Sequence, residues 1–256
     1  MTELLNTVIN GEGAGTPLLI AHGLFGTARN WGVLAKRIAV DREVISVDMR
    51  NHGSSFRATT NTYGDMAADL AAVIESRGNS ADVLGHSMGG KAAMVLAISR
   101  PDLVNKLVVA DIAPVGYSHS QIDKIESMNA VDLSVVKRRR DADDQLAELI
   151  DDAVLRPFLL QSLTFGDHGA EWKLNLDVLG AEMENIIGFP NIEGVFEGEV
   201  LFLHGGVSEY VQPEHHAKIL SLFPNAKFEV IEGAGHWLHA EKPREFEAAV
   251  TSFLNE

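Results

Sequence analysis

Short apolar runs alternate along the chain with stretches in which apolar residues recur at helical spacing. Pro17-Leu18-Leu19-Ile20-Ala21 reads as a buried strand, after which Trp31, Leu34, Ala35 and Ile38 mark one face of a helix. Val44-Ile45-Ser46-Val47-Asp48 is the next strand, and Met66, Leu70, Val73 and Ile74 the next helix. Ala81 to Gly85 is a short strand, Gly89 to Ser99 a helix stopped by Pro101, and Lys106 to Asp111 another strand. The alternation resumes near the end with a strand at Val200 to Leu203, a helix at Pro213 to Leu222 and a strand at Lys227 to Ile231. Pro243 opens a last helix, in which Phe246, Val250, Phe253 and Leu254 share a face. Leu4 to Ile9, followed by Asn10-Gly11, reads as an edge strand entering a turn. Strand–helix alternation of this kind predicts an α/β fold, with a mostly parallel sheet and helices on both faces.

The stretch 115–191 breaks the rhythm. It is rich in helix formers and predicts a helical cap inserted over the C-terminal edge of the sheet. Residues 1–114 and 192–256 would then form the core. With 256 residues, 46% of them hydrophobic, the chain can bury one sizeable core. The net charge of −15 argues against nucleic acid and anionic membranes as partners. The absence of cysteine excludes a disulfide framework, a thiolate metal site and a cysteine nucleophile. Met1-Thr2-Glu3-Leu4-Leu5 lacks the basic and apolar regions of a signal peptide, and no apolar run reaches membrane-spanning length, so the expected location is the cytoplasm.

Gly85-His86-Ser87-Met88-Gly89 carries the chemistry. The pattern G-x-S-x-G is common, but here it follows a strand and precedes a helix, the setting in which a sharp turn holds a serine hydroxyl out as a nucleophile. The hydroxyl needs a base. His236, in Gly233-Ala234-Gly235-His236-Trp237, lies in the loop between the last strand and the last helix, at the same sheet edge. His239 falls nearer that helix, and the adjacent His215 and His216 are expected to be solvated. Two positions offer an acid to orient the imidazole: Asp111 at a strand end, and Glu209 in the loop after a later strand. Asp111 is shorter and more rigidly placed, and the order Ser87, Asp111, His236 fits the chain order of the pattern. Asp48 also ends a strand, and pairing with loop backbone or Arg50 accounts for it. The backbone N–H groups of Met88 and of Leu24, in His22-Gly23-Leu24-Phe25-Gly26, are the candidate oxyanion donors.

Together these segments resemble the α/β-hydrolases, and the resemblance covers nearly the whole chain outside the cap. Asp48-Met49-Arg50-Asn51-His52-Gly53-Ser54 joins the three glycine motifs in the family's order, with Asn51 where many members have glycine. That asparagine, with Val109 to Val115 and Trp172-Lys173-Leu174-Asn175-Leu176, makes the chain similar to the small YbfF-type bacterial esterases and their mitochondrial relatives. In many family members the acid aligns with Ser208, which cannot act as a carboxylate. That shifts weight to Asp111 and leaves Glu209 as the alternative.

The resemblance implies a serine carboxylesterase acting on short- to medium-chain acyl esters or acyl thioesters, without metal or cofactor. Phe25, Trp31 and Trp172, with Phe158, Leu159 and Leu160, could line the acyl pocket or simply pack. Lys137-Arg138-Arg139-Arg140 reads as a solvated helix face, or as a contact for the phosphate of an acyl carrier. A carbon–carbon bond hydrolase or lyase with the same three residues is an alternative, as is a non-enzymatic ligand-binding protein of the same fold.

Overall fold

The computed structural model describes residues 3–78 and 80–256. Met1 and Thr2, which open the segment read for a signal peptide, lie outside them. The first half runs β1 (Thr7–Asn10), β2 (Gly15–Ala21), a 3-10 turn (Ala28–Trp31), α1 (Gly32–Ile38), β3 (Arg42–Val47), α2 (Tyr63–Arg77), β4 (Ala81–His86), α3 (Met88–Ser99) and β5 (Val104–Ala110). The insertion holds α4 (Ile122–Asn129), α5 (Arg139–Leu146), α6 (Leu155–Leu160), β6 (Leu163–Gly166), β7 (Gly169–Trp172), α7 (Leu176–Ala181) and α8 (Met183–Ile187). The chain ends with β8 (Glu199–Gly205), α9 (His216–Leu222), β9 (Ala226–Ile231), α10 (Leu238–Glu241) and α11 (Pro243–Leu254).

Seven strands form one sheet in the order β1-β3-β2-β4-β5-β8-β9. Every pairing is parallel except β1 with β3. The strand read over Leu4 to Ile9 thus begins at Thr7 and runs antiparallel along the sheet's edge, and Gly11 turns the chain at φ +78°.

The apolar runs are explained by burial on both faces. Leu18, Ile20, Val44, Leu84, Val108, Leu201 and Leu203 face α1 and α11, where Leu34, Ile38, Phe246 and Val250 complete one core. Leu19, Ile45, Val83, Leu107, Val109 and Phe202 face α2 and α3, and meet Met66, Leu70 and Leu96 in the other. Each fully buried side chain of this size stabilises the fold by about 1.5–3 kcal/mol.

The insertion departs from the helical expectation at one place. Leu163 to Trp172 forms a β-hairpin, with Leu163 opposite Trp172 and Phe165 opposite Ala170. Gly169, at φ +103°, serves its turn. Gly166 and Gly169 interrupt any helix there, and Thr164, Phe165 and Trp172 suit strands. Among the described residues no helix is long and apolar enough to cross a membrane.

Candidate active site

Ser87 stands at the tip between β4 and α3, with φ +52° and ψ −119°. Its N–H donates to Ala110 O at 3.1 Å, which ties the tip to the end of β5. The flanking glycines make this turn possible. A Cβ on Gly85 would lie 2.3 Å from Gly89 O, and one on Gly89 would lie 2.4 Å from Ala21 O. A left-handed conformation costs a non-glycine residue about 1–3 kcal/mol and persists only where its surroundings over-determine it. Among the described residues, the non-glycine positions with positive φ are Phe25, Asn51, Ser87 and Asp111. Three of these are residues that the sequence nominated for the site.

His236 reaches Ser87 from the loop after β9. Its Nε2 lies 3.1 Å from Ser87 Oγ, and its Nδ1 2.7 Å from Asp111 Oδ2. With the proton on Nδ1, the ring donates to the carboxylate and accepts from the hydroxyl. Asp111 is fully buried (0% exposed) at the end of β5, and its own N–H donates to Leu203 O at 2.9 Å. Its Oδ1 accepts from Gly205 N–H at 3.0 Å, and its Oδ2 also accepts from Ser208 Oγ–H at 2.5 Å. Ser208 therefore supports the acid by donating to it. Glu209 is exposed and makes none of these contacts.

The loop after β2 approaches the same point. A Cβ on Gly23 would come within 3.1 Å of Ser87 Cβ. Phe25 N–H donates to His52 Nε2 at 3.2 Å. Among the described residues, the N–H groups of Leu24 and Met88 are taken by no carbonyl or side chain. Both residues line the cavity in front of Ser87.

Two histidines that sequence reasoning passed over hold this loop. His22 Nδ1–H donates to Gly23 O at 2.8 Å, and its Nε2 accepts from Met49 N–H at 2.9 Å. His52 Nδ1–H donates to Arg50 O at 2.8 Å, and its Nε2 accepts from Phe25 N–H. A second proton on either ring would face an N–H. Burial depresses both pKa values, that of His52 to about 3, and the partly buried His239 is also drawn down to about 3. His86, whose Nε2–H donates to His236 O at 2.8 Å, is held well below the ordinary 6.5 by burial and by His239 and His236.

These groups are neutral when folded and take up protons near pH 6.5 when unfolded. Their contribution is full above that value and is lost as pH falls toward 3. His52 alone should cost about 2 kcal/mol of stability between about pH 7 and pH 5. Urea unfolding at the two pH values measures this, and an unchanged midpoint would contradict it.

Aromatic residues complete the surroundings of His236. Tyr210 stacks on it with ring centroids 4.0 Å apart. Tyr117 Oη–H donates to Tyr210 O at 2.6 Å and accepts from Ala113 N–H at 2.9 Å. His215 and His216, expected to be solvated, are both half-buried: His215 Nδ1 accepts from Gln212 N–H, and His216 stacks on Phe228 at 4.1 Å.

A cavity of about 900 Å³, counting the part open to solvent, lies before Ser87. Phe25, Trp31 and Phe158 line it, as do Leu155, Ile186 and Ile187 of the insertion. Trp172, read as a pocket residue, does not. It is 7% exposed, packs inside the insertion and donates its indole N–H to Met128 O at 3.0 Å. Leu159 and Leu160 are likewise buried away from the cavity. In the basic run, Arg138 pairs with Asp141, Arg140 approaches Asp144, and Arg139 donates to Leu160 O and Leu163 O.

Asp48 accepts from Ala28 N–H, Ser54 N–H and Asn6 Nδ2–H, while Arg50 pairs with Asp69 and Asp65 instead. Asn51, at φ +64°, occupies the left-handed region that asparagine tolerates well. Its side chain meets Asn175 of the insertion at 3.0 Å, and Asn175 N–H donates to Asn51 O at 2.9 Å.

Comparison with known proteins agrees with this architecture. The chain is 42% identical over 256 residues to the mouse protein named sn-1-specific diacylglycerol lipase ABHD11, covering 96% of this chain and 83% of that one. It is 39% identical over 243 residues to Esterase YbfF of Escherichia coli, covering 94% of each. A solved structure titled Marine microorganism esterase superposes with a TM-score of 0.94 at 38% identity, over 98% of this chain and all of that one. Residues 18–249 match the family model described as Alpha/beta hydrolase family, and the chain belongs to that family.

Proposed function

We propose that the protein hydrolyses carboxylic esters through an acyl-enzyme formed on Ser87. The observation that carries this is the relay of 3.1 Å from Ser87 Oγ to His236 Nε2 and 2.7 Å from His236 Nδ1 to Asp111 Oδ2. The names of the relatives, esterase and lipase, support the same reaction class.

In the first half-reaction His236 takes the Ser87 proton as the oxygen attacks the ester carbonyl. Asp111 holds the Nδ1–H tautomer and stabilises the imidazolium. The oxyanion is received by the N–H groups of Met88 and Leu24, each of which typically lowers the barrier by about 2.7–4 kcal/mol. His236 then protonates the leaving alcohol, and water releases the acid by the reverse path. The apolar cavity suits a short- to medium-chain acyl group, delivered as an ester or thioester.

A fluorophosphonate probe should label the folded protein at Ser87, located by mass spectrometry of the labelled peptide. A panel of esters of graded acyl length, repeated with acyl-CoA, should show turnover of simple esters. Label at another residue would overturn the site. Turnover of a β-diketone without any ester would overturn the reaction class.

A further inference from the structure

Lys91 is the one charged residue in α3, a helix otherwise made of apolar and small residues. It lies one turn beyond Ser87, whose carbonyl accepts its N–H at 3.0 Å, and it is only 1% exposed. A buried ammonium must find acceptors or give up its charge. Among the described residues, no carboxylate pairs with it. Its Nζ instead donates to Ile187 O at 2.9 Å and Gly188 O at 2.5 Å, the carbonyls where the insertion returns to the core. The same Nζ lies 4.8 Å from the ring centroid of Tyr117, at the insertion's start, and 5.8 Å from that of Tyr63.

The two ends of the insertion thus meet at one ammonium. Tyr117 N–H donates to Ile187 O at 3.1 Å, and Tyr63 Oη–H donates to Ile186 O at 2.6 Å. Lys91, Tyr63, Tyr117, Ile186 and Ile187 all line the cavity in front of Ser87. From Tyr117 the contacts continue through Tyr210 to the ring of His236.

We propose that Lys91 is a positioning residue that fastens both ends of the insertion at the cavity wall and so limits the length of acyl chain the site accepts. Its donors are spent on carbonyls and an aromatic face, so it acts through Ile186 and Ile187 and not on the reacting atoms. Without the ammonium this wall keeps only the bonds from Tyr63 Oη–H to Ile186 O and from Tyr117 N–H to Ile187 O, and can recede from a longer chain. The chain-length consequence rests on the ester-hydrolase reading; the fastening itself does not.

Lys91→Met, Lys91→Arg and Tyr63→Phe test both parts. In Lys91→Met the ratio of kcat/KM for a dodecanoyl ester to that for a butyryl ester should rise by about fivefold or more, chiefly through KM. Labelling of Ser87 by a small fluorophosphonate should change by less than about twofold, because the elbow is untouched. Lys91→Arg should restore most of the wild-type ratio, and Tyr63→Phe should shift it in the same direction as Lys91→Met. Hydrogen exchange of peptides spanning residues 113–119 and 184–190 should be faster in Lys91→Met and Tyr63→Phe, whether or not any ester is turned over. Unchanged exchange in both would overturn the fastening. Faster exchange with an unchanged chain-length ratio would overturn the limit on acyl length. If Lys91→Met does not fold, Tyr63→Phe decides both points. A wild type inert to every ester would sink the ester-hydrolase reading and leave the exchange result standing.

Discussion

Ser87→Ala should abolish ester hydrolysis, lowering kcat/KM by about 10⁴–10⁶-fold, to the residual level that binding and oxyanion donors alone sustain. Among the described residues, no other hydroxyl is bonded to His236 Nε2, which lies 3.1 Å from Ser87 Oγ. The loss should fall on kcat, because the cavity that binds substrate is untouched. Alanine also tolerates φ +52° no better than serine, so the strain at the turn is unchanged and stability should move little. Fluorophosphonate labelling should vanish in parallel. A variant that keeps more than a few per cent of wild-type turnover would place the nucleophile elsewhere.

Asp111→Asn should cost about 10⁴-fold in kcat while keeping the fold. The asparagine amide fits the same space, but its N–H₂ would face His236 Nδ1 and make that atom an acceptor. The proton then sits on Nε2, where it confronts the Ser87 hydroxyl and cannot receive its proton. The cost is one of tautomer, so it should fall on kcat and on the rate of fluorophosphonate labelling, while substrate binding suffers less. Glu209→Gln should leave kcat within about twofold, since its exposed carboxylate lies outside the network. Steady-state kinetics of the two variants, with circular dichroism to verify folding, separates the candidates. Full activity in Asp111→Asn with loss in Glu209→Gln would reverse the assignment.

The strands and the elbow were legible because their constraints are local. Runs of apolar residues report burial on both faces, and Gly85 and Gly89 answer clashes with backbone a few residues or one strand away. The placement of His236 and Asp111 followed from the rule that loops at one sheet edge converge. Aromatic residues gave less, because where an indole points is set by packing far along the chain. Phe25 and Trp31 reach the cavity, whereas Trp172 turns into the insertion toward Met128. The hairpin at Leu163 to Trp172 was hidden in a segment whose overall composition favours helix.

The roles of Lys91, Tyr210 and the buried His22, His52 and His86 were not legible for a similar reason. Their partners are distant in sequence, as Lys91 is from Ile187 and Tyr210 is from His119 and Tyr117. A lone lysine in an apolar helix was the one local signal available. The contact between Asn51 and Asn175 is the converse case. Two segments that marked the chain as YbfF-like prove to be hydrogen-bonded to each other, one in the core and one in the insertion.

The insertion leaves the sheet after β5 and rejoins it before β8, yet its ends meet within one hydrogen bond, from Tyr117 N–H to Ile187 O. The excursion therefore closes on itself and asks no particular span of the chain between. Because the entropy of closing a loop grows only slowly with its length, residues can be gained, lost or exchanged there with little demand on the sheet. The chemistry is written into strand ends that cannot shift, while the roof over them is free to drift. New substrates can then be reached by altering the roof, without disturbing the serine that would act on them.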